Sequence, residues 1–232
     1  MTRTYVETFD SGPGGWIGWH SNALGAQPLE LVDGAVVSRS PWWIDYNHAP
    51  PGGGYLHLLF VLYTRLNAER YEAIGGPNRF VQGGFPTDFT GARLTVRLKT
   101  TLEARGAQLV LLAQARVGQT YVNYVLMGQP FAITHDWSEQ TIELVPDPNQ
   151  WKCLGTRHDR ADSYGWGEIA DVVRDLNNDI IFVLHPLDVV PAEPVDGDPH
   201  LLKAGEDYKV DLSRLPKGTV MLDEVRIEFQ TD

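Results

Sequence analysis

The densest group of side chains capable of chemistry lies between residues 42 and 48. It carries two indoles, a carboxylate, a phenol, an amide and an imidazole: Trp42, Trp43, Asp45, Tyr46, Asn47 and His48. Aromatic rings offer a flat apolar surface on which sugar rings stack, while neighbouring polar groups bond the hydroxyls. So many polar groups beside aromatic rings are unfavourable to bury without partners. The cluster therefore predicts a binding site for a saccharide or another small polar ligand.

The same segment also has a purely structural interpretation. A single tryptophan is more often part of a hydrophobic core than of a site, and the pair would then plug one end of the fold. Asp45 and Asn47 are residue types that stabilise turns through their own side chains, and a Pro/Gly-rich stretch, residues 49–54, follows directly. For the cluster as a whole we favour the ligand site.

A second group of polar side chains is predicted on one face of a sheet. In the strand that begins at Tyr55, alternation places Tyr55, His57 and Tyr63 on one face. Three polar side chains occupy comparable positions on other predicted strands: Arg97, Gln114 and Tyr124. If these faces coincide, they form a concave sheet rich in hydrogen-bonding groups, which is a second candidate ligand site. A plain solvent-facing sheet is the alternative.

A loop of mixed charge contains the only cysteine of the sequence. Cys153 and His158 lie within residues 151–164, but no further Cys or His completes the three or four ligands that zinc needs. We therefore expect no zinc site, and we disfavour a nucleophilic role for Cys153. Salt bridges within the loop are its expected content.

Short β-strands separated by turn residues must position these groups. The Asp33-Gly34 pair lies between two β-rich runs and predicts a tight hairpin, and residues 93–99 alternate strictly between polar and apolar. Further strands are predicted at residues 108–115, 121–127, 140–145, 179–185 and 220–229. This spacing of strands and turns is typical of an all-β sandwich or barrel.

One segment has helical periodicity instead. Its apolar residues recur at the spacing of one helix face: Ile169, Val172, Val173 and Leu176. They predict a short surface helix packed on the sandwich. Two polar excursions, residues 146–166 and 191–218, are predicted as long loops, because a further strand follows the second. The whole chain, residues 1–232, is therefore predicted to be one domain.

Several short motifs occur in the order found in a known family. They are Phe9-Asp-Ser-Gly12 with Gly15-Trp16, Leu31–Val36, Phe89–Val96, Trp137–Ile142 and Leu222–Ile227. Together they resemble the elements of calcium-dependent jelly-roll carbohydrate-binding modules, which have a galactose-binding-like fold. The resemblance spans almost the whole chain and implies an all-β fold, a two-sheet antiparallel jelly-roll β-sandwich with one short surface helix. The chain departs from such modules in its greater length, its helix and its long loops.

The resemblance also implies a structural calcium ion. In the family, the acid after the opening Phe and the first acid of the closing strand share the ion, and these positions are Asp10 and Asp223 here. Calcium prefers oxygen ligands, and an ion that joins the first and last strands stabilises the fold. Two solvated acidic side chains at a strand edge are the alternative.

Composition and charge restrict the partners. The chain has 232 residues, with 19 Lys and Arg against 30 Asp and Glu, a formal net charge of −11 at pH 7, and this disfavours nucleic-acid binding. No run approaches the ~20 apolar residues of a membrane-spanning helix, and the first ten residues lack the apolar region of a signal peptide. We therefore expect a soluble protein, cytoplasmic by default or secreted if a signal peptide has been removed. The sequence does not indicate its oligomeric state.

Two functions fit these observations. The first is a carbohydrate-binding protein that stacks a saccharide on the aromatic rings of residues 42–46. The second is an enzyme on the same scaffold, a lyase, hydrolase or isomerase, in which Asp45, His48 and His57 supply a general acid and base. A perturbed histidine beside Asp45 in a closed pocket favours the enzyme, and an open aromatic platform favours the binding protein. A structural subunit would instead present a large exposed apolar patch.

Overall fold

The fold is seen in a computed structural model that describes residues 3–158, 160 and 162–230. The strands are β1 (Arg3–Glu7), β2 (Trp16–Ser21), β3 (Gly25–Gln27), β4 (Glu30–Val32), β5 (Ala35–Arg39), β6 (His57–Tyr63), β7 (Arg93–Thr100), β8 (Gln108–Val117), β9 (Thr120–Leu126), β10 (Ser138–Glu143), β11 (Trp151–Cys153), β12 (Tyr164–Gly165), β13 (Asp179–His185) and β14 (Thr219–Phe229). The α-helices are α1 (Glu72–Gly75), α2 (Arg79–Gln82) and α3 (Ile169–Arg174).

The strands form two sheets that enclose one apolar core. The six-stranded sheet has the order β10-β7-β14-β5-β4, with β1 paired to β14. The eight-stranded sheet has the order β11-β9-β8-β13-β6-β2-β3, with β12 paired to β9. The pairing is antiparallel throughout the described ladders except between β12 and β9. The predicted class, an antiparallel two-sheet β-sandwich, is confirmed.

The two ends of the chain are joined within the six-stranded sheet. Strand β1 pairs with β14 from Arg3 opposite Phe229 to Glu7 opposite Val225. On its other side β14 pairs with β7, so the last strand is enclosed by the sheet and not left at its edge. A strand with both sides paired presents no free hydrogen-bonding groups to another chain.

Several local predictions are confirmed. The β4–β5 hairpin turns at Asp33 and Gly34, whose φ angles of 50° and 81° are the left-handed pair that a tight two-residue hairpin requires. The predicted alternating strand is β7. The helical stripe forms α3, and its apolar residues are buried. The short helices α1 and α2 were not predicted from the sequence pattern, and neither exceeds one turn.

The two segments predicted as loops are largely irregular. Residues 146–166 contain the short strands β11 and β12, and residues 191–218 contain two 3₁₀ turns, Pro199–Leu201 and Leu212–Arg214. Among the described residues, none of the helices is both long and apolar enough to span a membrane.

Aromatic side chains fill the space between the sheets. The ring of Phe182 lies 5.9 Å from that of Trp16, 6.1 Å from that of Phe60 and 5.5 Å from that of Phe131, measured between ring centres. Edge-on and tilted contacts of this kind are favourable beyond the apolar area that they bury. Phe182 therefore lies at the centre of the packing that joins the two sheets.

The eight-stranded sheet is apolar on both of its faces along β13. All seven residues of β13 are buried. Ile180, Phe182 and Leu184 pack into the core between the sheets, whereas Ile181 and Val183 belong to a second apolar cluster on the opposite face. We call this opposite face the outer face of the eight-stranded sheet.

A β-bulge in β6 decides which of its side chains reach the outer face. The register of β6 against β13 shifts after Leu58, and Leu59 and Phe60 consequently both pack between the sheets. Tyr63 belongs to the outer cluster, whereas His57 lies on the same side of the strand as Leu59. The prediction that His57 and Tyr63 share one face is therefore wrong, because strict alternation does not continue through a bulge.

Replacing Phe182 with alanine should destabilise the fold severely. The ring is 1% exposed, and its removal leaves a cavity among aromatic neighbours, so the free energy of unfolding should fall by about 3–5 kcal/mol. Urea denaturation measures the change. Leu24→Ala is the matched control, because that side chain is 71% exposed and its loss should change the free energy by less than about 0.5 kcal/mol. Equal effects of the two changes would contradict this account of the core.

Candidate functional site

The 42–48 cluster does not form an open aromatic platform. Trp42 and Trp43 are half-buried, and residues 44–48 are buried. The backbone N–H of Asp45 donates to the carbonyl of Leu56 at 2.8 Å, which fixes the segment beside the start of β6. The prediction that the whole cluster faces a ligand is therefore wrong.

The loop after β11 covers this segment. His158 donates its backbone N–H to the carbonyl of Asn47 at 3.0 Å, and Gly53 donates to the carbonyl of Leu154 at 2.9 Å. A Cβ atom on Gly53 would lie 2.5 Å from the side chain of Leu154. The close approach of these two segments therefore requires glycine at position 53. Asn47 is fully buried as a result.

Trp42 and His57 lie on the side of the core. The indole Nε1 of Trp42 donates to Ser38 Oγ at 2.8 Å, and its ring centre is 5.7 Å from that of His57. His57 Nδ1 lies 2.8 Å from the carbonyl oxygen of Trp43, so this nitrogen carries the proton and donates. Burial lowers the pKa of His57 to about 4. These contacts make both residues structural.

A cavity of about 480 Å³ lies on the outer face of the eight-stranded sheet, a volume within the usual range for small-molecule sites. Strands β6, β8 and β13 form its floor. The β2–β3 hairpin, residues 67–74 and the connection from β11 to β12 form its walls. Trp43, Asp45 and Gln114 are the predicted site residues that line this cavity.

A row of polar side chains crosses the floor in register. Asp179 on β13 is the partner of Tyr63 on β6 and of Gln114 on β8, and Gln114 is in turn the partner of Asn123 on β9. Side chains opposite one another on neighbouring strands lie on the same face, about 5 Å apart. We call Tyr63, Asp179, Gln114 and Asn123 the polar row.

Stacked tyrosines stand on two sides of this row. The rings of Tyr63 and Tyr71 are 4.7 Å apart and inclined at 18°. The rings of Tyr121 and Tyr164 are 5.2 Å apart and inclined at 23°. Trp19 adds a third ring beside Tyr71, with a centroid distance of 6.2 Å. Together they give the cavity flat apolar surfaces at the ends of a polar floor.

Asp179 is an acid of the cavity lining whose pKa is shifted by burial. It is 2% exposed, and its Oδ2 accepts from Asn178 Nδ2 at 2.7 Å and from Gln114 Nε2 at 3.4 Å. Burial raises the pKa of Asp179 well above its ordinary value, although the nearby Arg157 guanidinium acts in the opposite direction. Burial therefore disfavours the charged form of this carboxyl group.

Two buried polar atoms in the lining have no hydrogen-bond partner among the described residues. They are Trp43 Nε1 and Asp179 Oδ1. Buried polar groups in folded proteins are nearly always paired, and leaving one unpaired is unfavourable by about 1–3 kcal/mol.

His48 stands behind the polar row and does not line the cavity. Its Nε2 lies 3.2 Å from Asn123 Nδ2; because the amide nitrogen donates, the histidine accepts at Nε2 and is neutral. Burial lowers the pKa of His48 to about 4, although Asp45 opposes this shift. Of the predicted acid–base set, Asp45 alone lines the cavity, so the set Asp45, His48 and His57 is not assembled there.

The predicted concave face is wrong for Arg97 and Tyr124. Arg97 belongs to β7 in the other sheet, where it pairs with Asp223 and lies over the ring of Trp137. Tyr124 packs against the core between the sheets and donates its hydroxyl to the carbonyl of Gly167 at 2.6 Å. The sequence could not show which strands share a sheet, and one step of register sends a side chain to the opposite face.

The two predicted calcium ligands, Asp10 and Asp223, contact other side chains of the protein. Asp223 is engaged by Arg97, and Asp10 Oδ2 accepts from the hydroxyl of Thr8 at 2.8 Å. Among the described residues, no group of three or more His, Cys, Asp or Glu side chains is placed to hold a metal ion. Calcium binding by Asp10 and Asp223 stays a prediction from the resemblance.

The surroundings of the loop cysteine disfavour its thiolate form. Cys153 is half-buried, and burial raises the pKa of its thiol, which reduces the fraction of reactive thiolate. His158 is not its partner, since His158 Nε2 lies 3.2 Å from the carbonyl oxygen of Ala49.

The sequence analysis missed most of the cavity lining. The missed residues with charged or aromatic side chains are Trp19, Arg70, Tyr71, Tyr121, Arg157, Arg160, Tyr164 and Asp179. A signal for Asp179 was present, because a carboxylate begins an otherwise apolar run, Asp179–His185. Such a residue is either at a strand end in solvent or at a site, and the sequence does not distinguish the two.

Comparisons with known proteins give structural likeness without sequence similarity. No family model matches the chain, and no curated protein matches it. The chain is similar in structure to the L4b domain of human laminin alpha-2, with 10% identity, a TM-score of 0.43 and coverage of 99% of this chain and 98% of that one.

Two further solved structures are similar to the chain. One comes from work on endo-acting O-glycanases that prominent members of the human gut microbiota express to initiate mucin breakdown; it has 11% identity, a TM-score of 0.41 and coverage of 98% of this chain and 99% of that one. The other is CtCBM11, known from a solution structure with dynamics and binding studies, with 8% identity, a TM-score of 0.32 and coverage of 100% and 85%.

Lowering the pH from 7 to 5 should reduce the free energy of unfolding. Burial lowers the pKa of His48, His57 and His185 to about 4 in the folded state, against about 6.5 in the unfolded chain. Below pH 6.5 the unfolded state binds protons that the folded state does not, so stability falls as the pH falls towards 4. The full shift corresponds to about 3 kcal/mol for each histidine. Burial raises the pKa of Asp179, so the folded state binds one proton there more readily than the unfolded state does. This single group opposes the trend set by the three histidines.

His57→Gln tests this linkage. Glutamine can still donate to the Trp43 carbonyl but does not titrate, so the loss of stability between pH 7 and pH 5 should be smaller than in the wild type. Urea denaturation at the two pH values measures it. His20→Gln is the control, because His20 is exposed and should leave the pH dependence unchanged. A wild-type pH dependence in His57→Gln would contradict the account.

Proposed function

We propose that the protein binds a saccharide in the cavity on the outer face of the eight-stranded sheet. The observation that carries the proposal is the combination of two stacked tyrosine pairs and an in-register polar floor at one cavity of about 480 Å³. Sugars present apolar C–H faces and hydroxyl edges, and the cavity offers both complements.

The aromatic rings supply the stacking surfaces. Tyr71 and Tyr121 are half-buried and lie at opposite sides of the polar row, so each retains exposed ring surface. Their rings are held by stacking on the buried Tyr63 and Tyr164. Rings that are fixed before binding lose little conformational entropy when a ligand arrives.

The floor supplies the groups that orient the ligand. Trp43 Nε1, which is a donor, and Asp179 Oδ1 both lack a hydrogen-bond partner among the described residues. Gln114 bridges between Asp179 and the β9 side of the floor. A hydroxyl both donates and accepts, so it can satisfy both kinds of group, whereas an apolar ligand leaves them unpaired and is disfavoured.

Tyr71→Ala and Tyr121→Ala should each weaken saccharide binding about tenfold or more, because each removes a stacking surface worth more than about 1 kcal/mol. A glycan array run with the wild type identifies ligands, and titration calorimetry then gives Kd for each variant. Trp137→Ala is the matched control, since Trp137 is equally half-buried but precedes β10 in the other sheet. The proposal fails if both tyrosine variants bind as the wild type does.

A second candidate function is hydrolysis of a glycosidic bond in the same cavity. It is favoured by one observation: Asp179 and Asp45 line one cavity, and burial raises the pKa of Asp179 well above its ordinary value. Glycoside hydrolysis uses a pair of carboxyl groups, one of which has a raised pKa and acts as the general acid. Asp179 would donate the proton to the leaving oxygen, and Asp45 would act as nucleophile or base.

Asp179→Asn separates binding from catalysis. Asparagine keeps the size of the side chain and a hydrogen-bond donor but cannot deliver a proton, so any cleavage should fall about 10²-fold or more while binding is retained. The release of new reducing ends from array-positive oligosaccharides measures cleavage, and calorimetry measures binding. Absence of cleavage by the wild type would remove this second candidate and leave the binding function in place.

A further inference from the structure

Three arginines line the cavity, although the chain as a whole is acidic. Arg70 lies on the wall formed by residues 67–74, and Arg157 and Arg160 lie on the connection from β11 to β12. The chain has a formal net charge of −11. An excess of cationic side chains at a cavity in such a chain is a local feature that the overall composition does not explain.

Arginines elsewhere on the protein are mostly paired with carboxylates. Ion pairs within the described residues involve Arg39, Arg65, Arg79, Arg93, Arg97, Arg105, Arg174, Arg214 and Arg226. Arg70 and Arg160 form no ion pair with a described residue. Arg70 lies over the ring of Tyr71, 5.4 Å from its centre. Two arginines without a carboxylate partner among the described residues therefore line the cavity.

A further arginine, Arg116, lies beside a tyrosine of the cavity lining. Arg116 donates to Gln119 at 2.6 Å and lies 5.9 Å from the ring centre of Tyr121. It has no carboxylate partner among the described residues either. Arg157 lies 4.7 Å from the ring centre of Tyr164. Guanidinium groups therefore accompany the aromatic surfaces on both sides of the polar row.

The lining contains two acids, Asp45 and Asp179, against its three arginines. Asp179 is buried, and burial raises its pKa well above the ordinary value, which disfavours its charged form. Asp45 is 6% exposed, and its Oδ1 accepts from the backbone N–H of Asn47 at 2.9 Å, which turns that oxygen towards its own turn. Guanidinium groups thus outnumber carboxyl groups in the lining, three to two.

We propose that the ligand of this cavity is an acidic saccharide, one whose sugar rings carry carboxylate or sulfate groups. The inference rests on the proposed saccharide-binding function and deepens it. The sugar rings stack on Tyr71 and Tyr121, and the anionic substituents bind the guanidinium groups of Arg70 and Arg160. Guanidinium groups match carboxylate and sulfate oxygens in geometry as well as in charge, through paired N–H donors.

Titration calorimetry with matched oligosaccharides tests the inference. The probes are oligogalacturonides for the carboxylate, chondroitin sulfate oligosaccharides for the sulfate, and xylo- and cello-oligosaccharides as neutral sugars. At least one acidic probe should bind tenfold or more tightly than both neutral probes. Its affinity should fall as salt is raised from 50 to 200 mM, because exposed charges are screened. The acidic probe that binds identifies the anionic group.

Arginine variants locate the interaction. Arg70→Gln and Arg160→Gln should each weaken binding of the acidic probe about tenfold and reduce its salt dependence. Arg3→Gln is the matched control: Arg3 also lacks a carboxylate partner among the described residues, but it lies on β1 in the other sheet and donates to the carbonyl of Gly83. It should bind as the wild type does.

The outcomes separate this inference from the proposed function. Neutral oligosaccharides that bind as tightly as acidic ones, with affinity lost in Tyr71→Ala, would overturn the acidic ligand and leave saccharide binding intact. Inorganic sulfate binding as tightly as every sugar probe would also overturn it, because the site would then select an anion and not a saccharide. If no saccharide of either kind binds, both proposals fail.

Discussion

The burial of β13 on both faces is the constraint on which the rest of the site depends. One face of the strand closes the core between the sheets, and the other lies under the outer cluster. Asp179 begins this strand and is therefore held out of water. Because β6 and β8 flank β13, the same ladders place Tyr63 and Gln114 beside the carboxyl group. The chemistry of the floor thus follows from strand pairing, and loop conformation contributes only the walls.

The fold class could be predicted from the sequence because it depends on local patterns. Alternation predicts β7, the positive-φ pair Asp33 and Gly34 defines a hairpin, and helical spacing predicts α3. Each of these signals lies within about a dozen residues and is nearly independent of the rest of the chain. Such local signals also agree with one another here, as expected when each segment favours the structure that the whole fold requires.

The site could be predicted only in part, because it depends on strand register and on which residues are covered by segments distant in the sequence. Residues 42–48 have the composition of a site, yet only Trp43 and Asp45 line the cavity. Trp42 packs against the core, and a later loop covers Asn47. The bulge after Leu58 reverses the side on which Tyr63 emerges. Tyr71 and Tyr121 come from distant parts of the chain, and nothing in the local sequence of either indicates that they face one cavity.

The cavity combines parts with different structural duties. Its floor belongs to β6, β8 and β13, whose ladders hold the sandwich together, whereas its arginines come from the connections that follow β6 and β11. Connections tolerate substitution and changes of length far better than central strands do. Substitutions in these connections could therefore change the rim of the cavity and leave the sandwich intact. A change in the charge of the rim then needs no change in the strands of the floor.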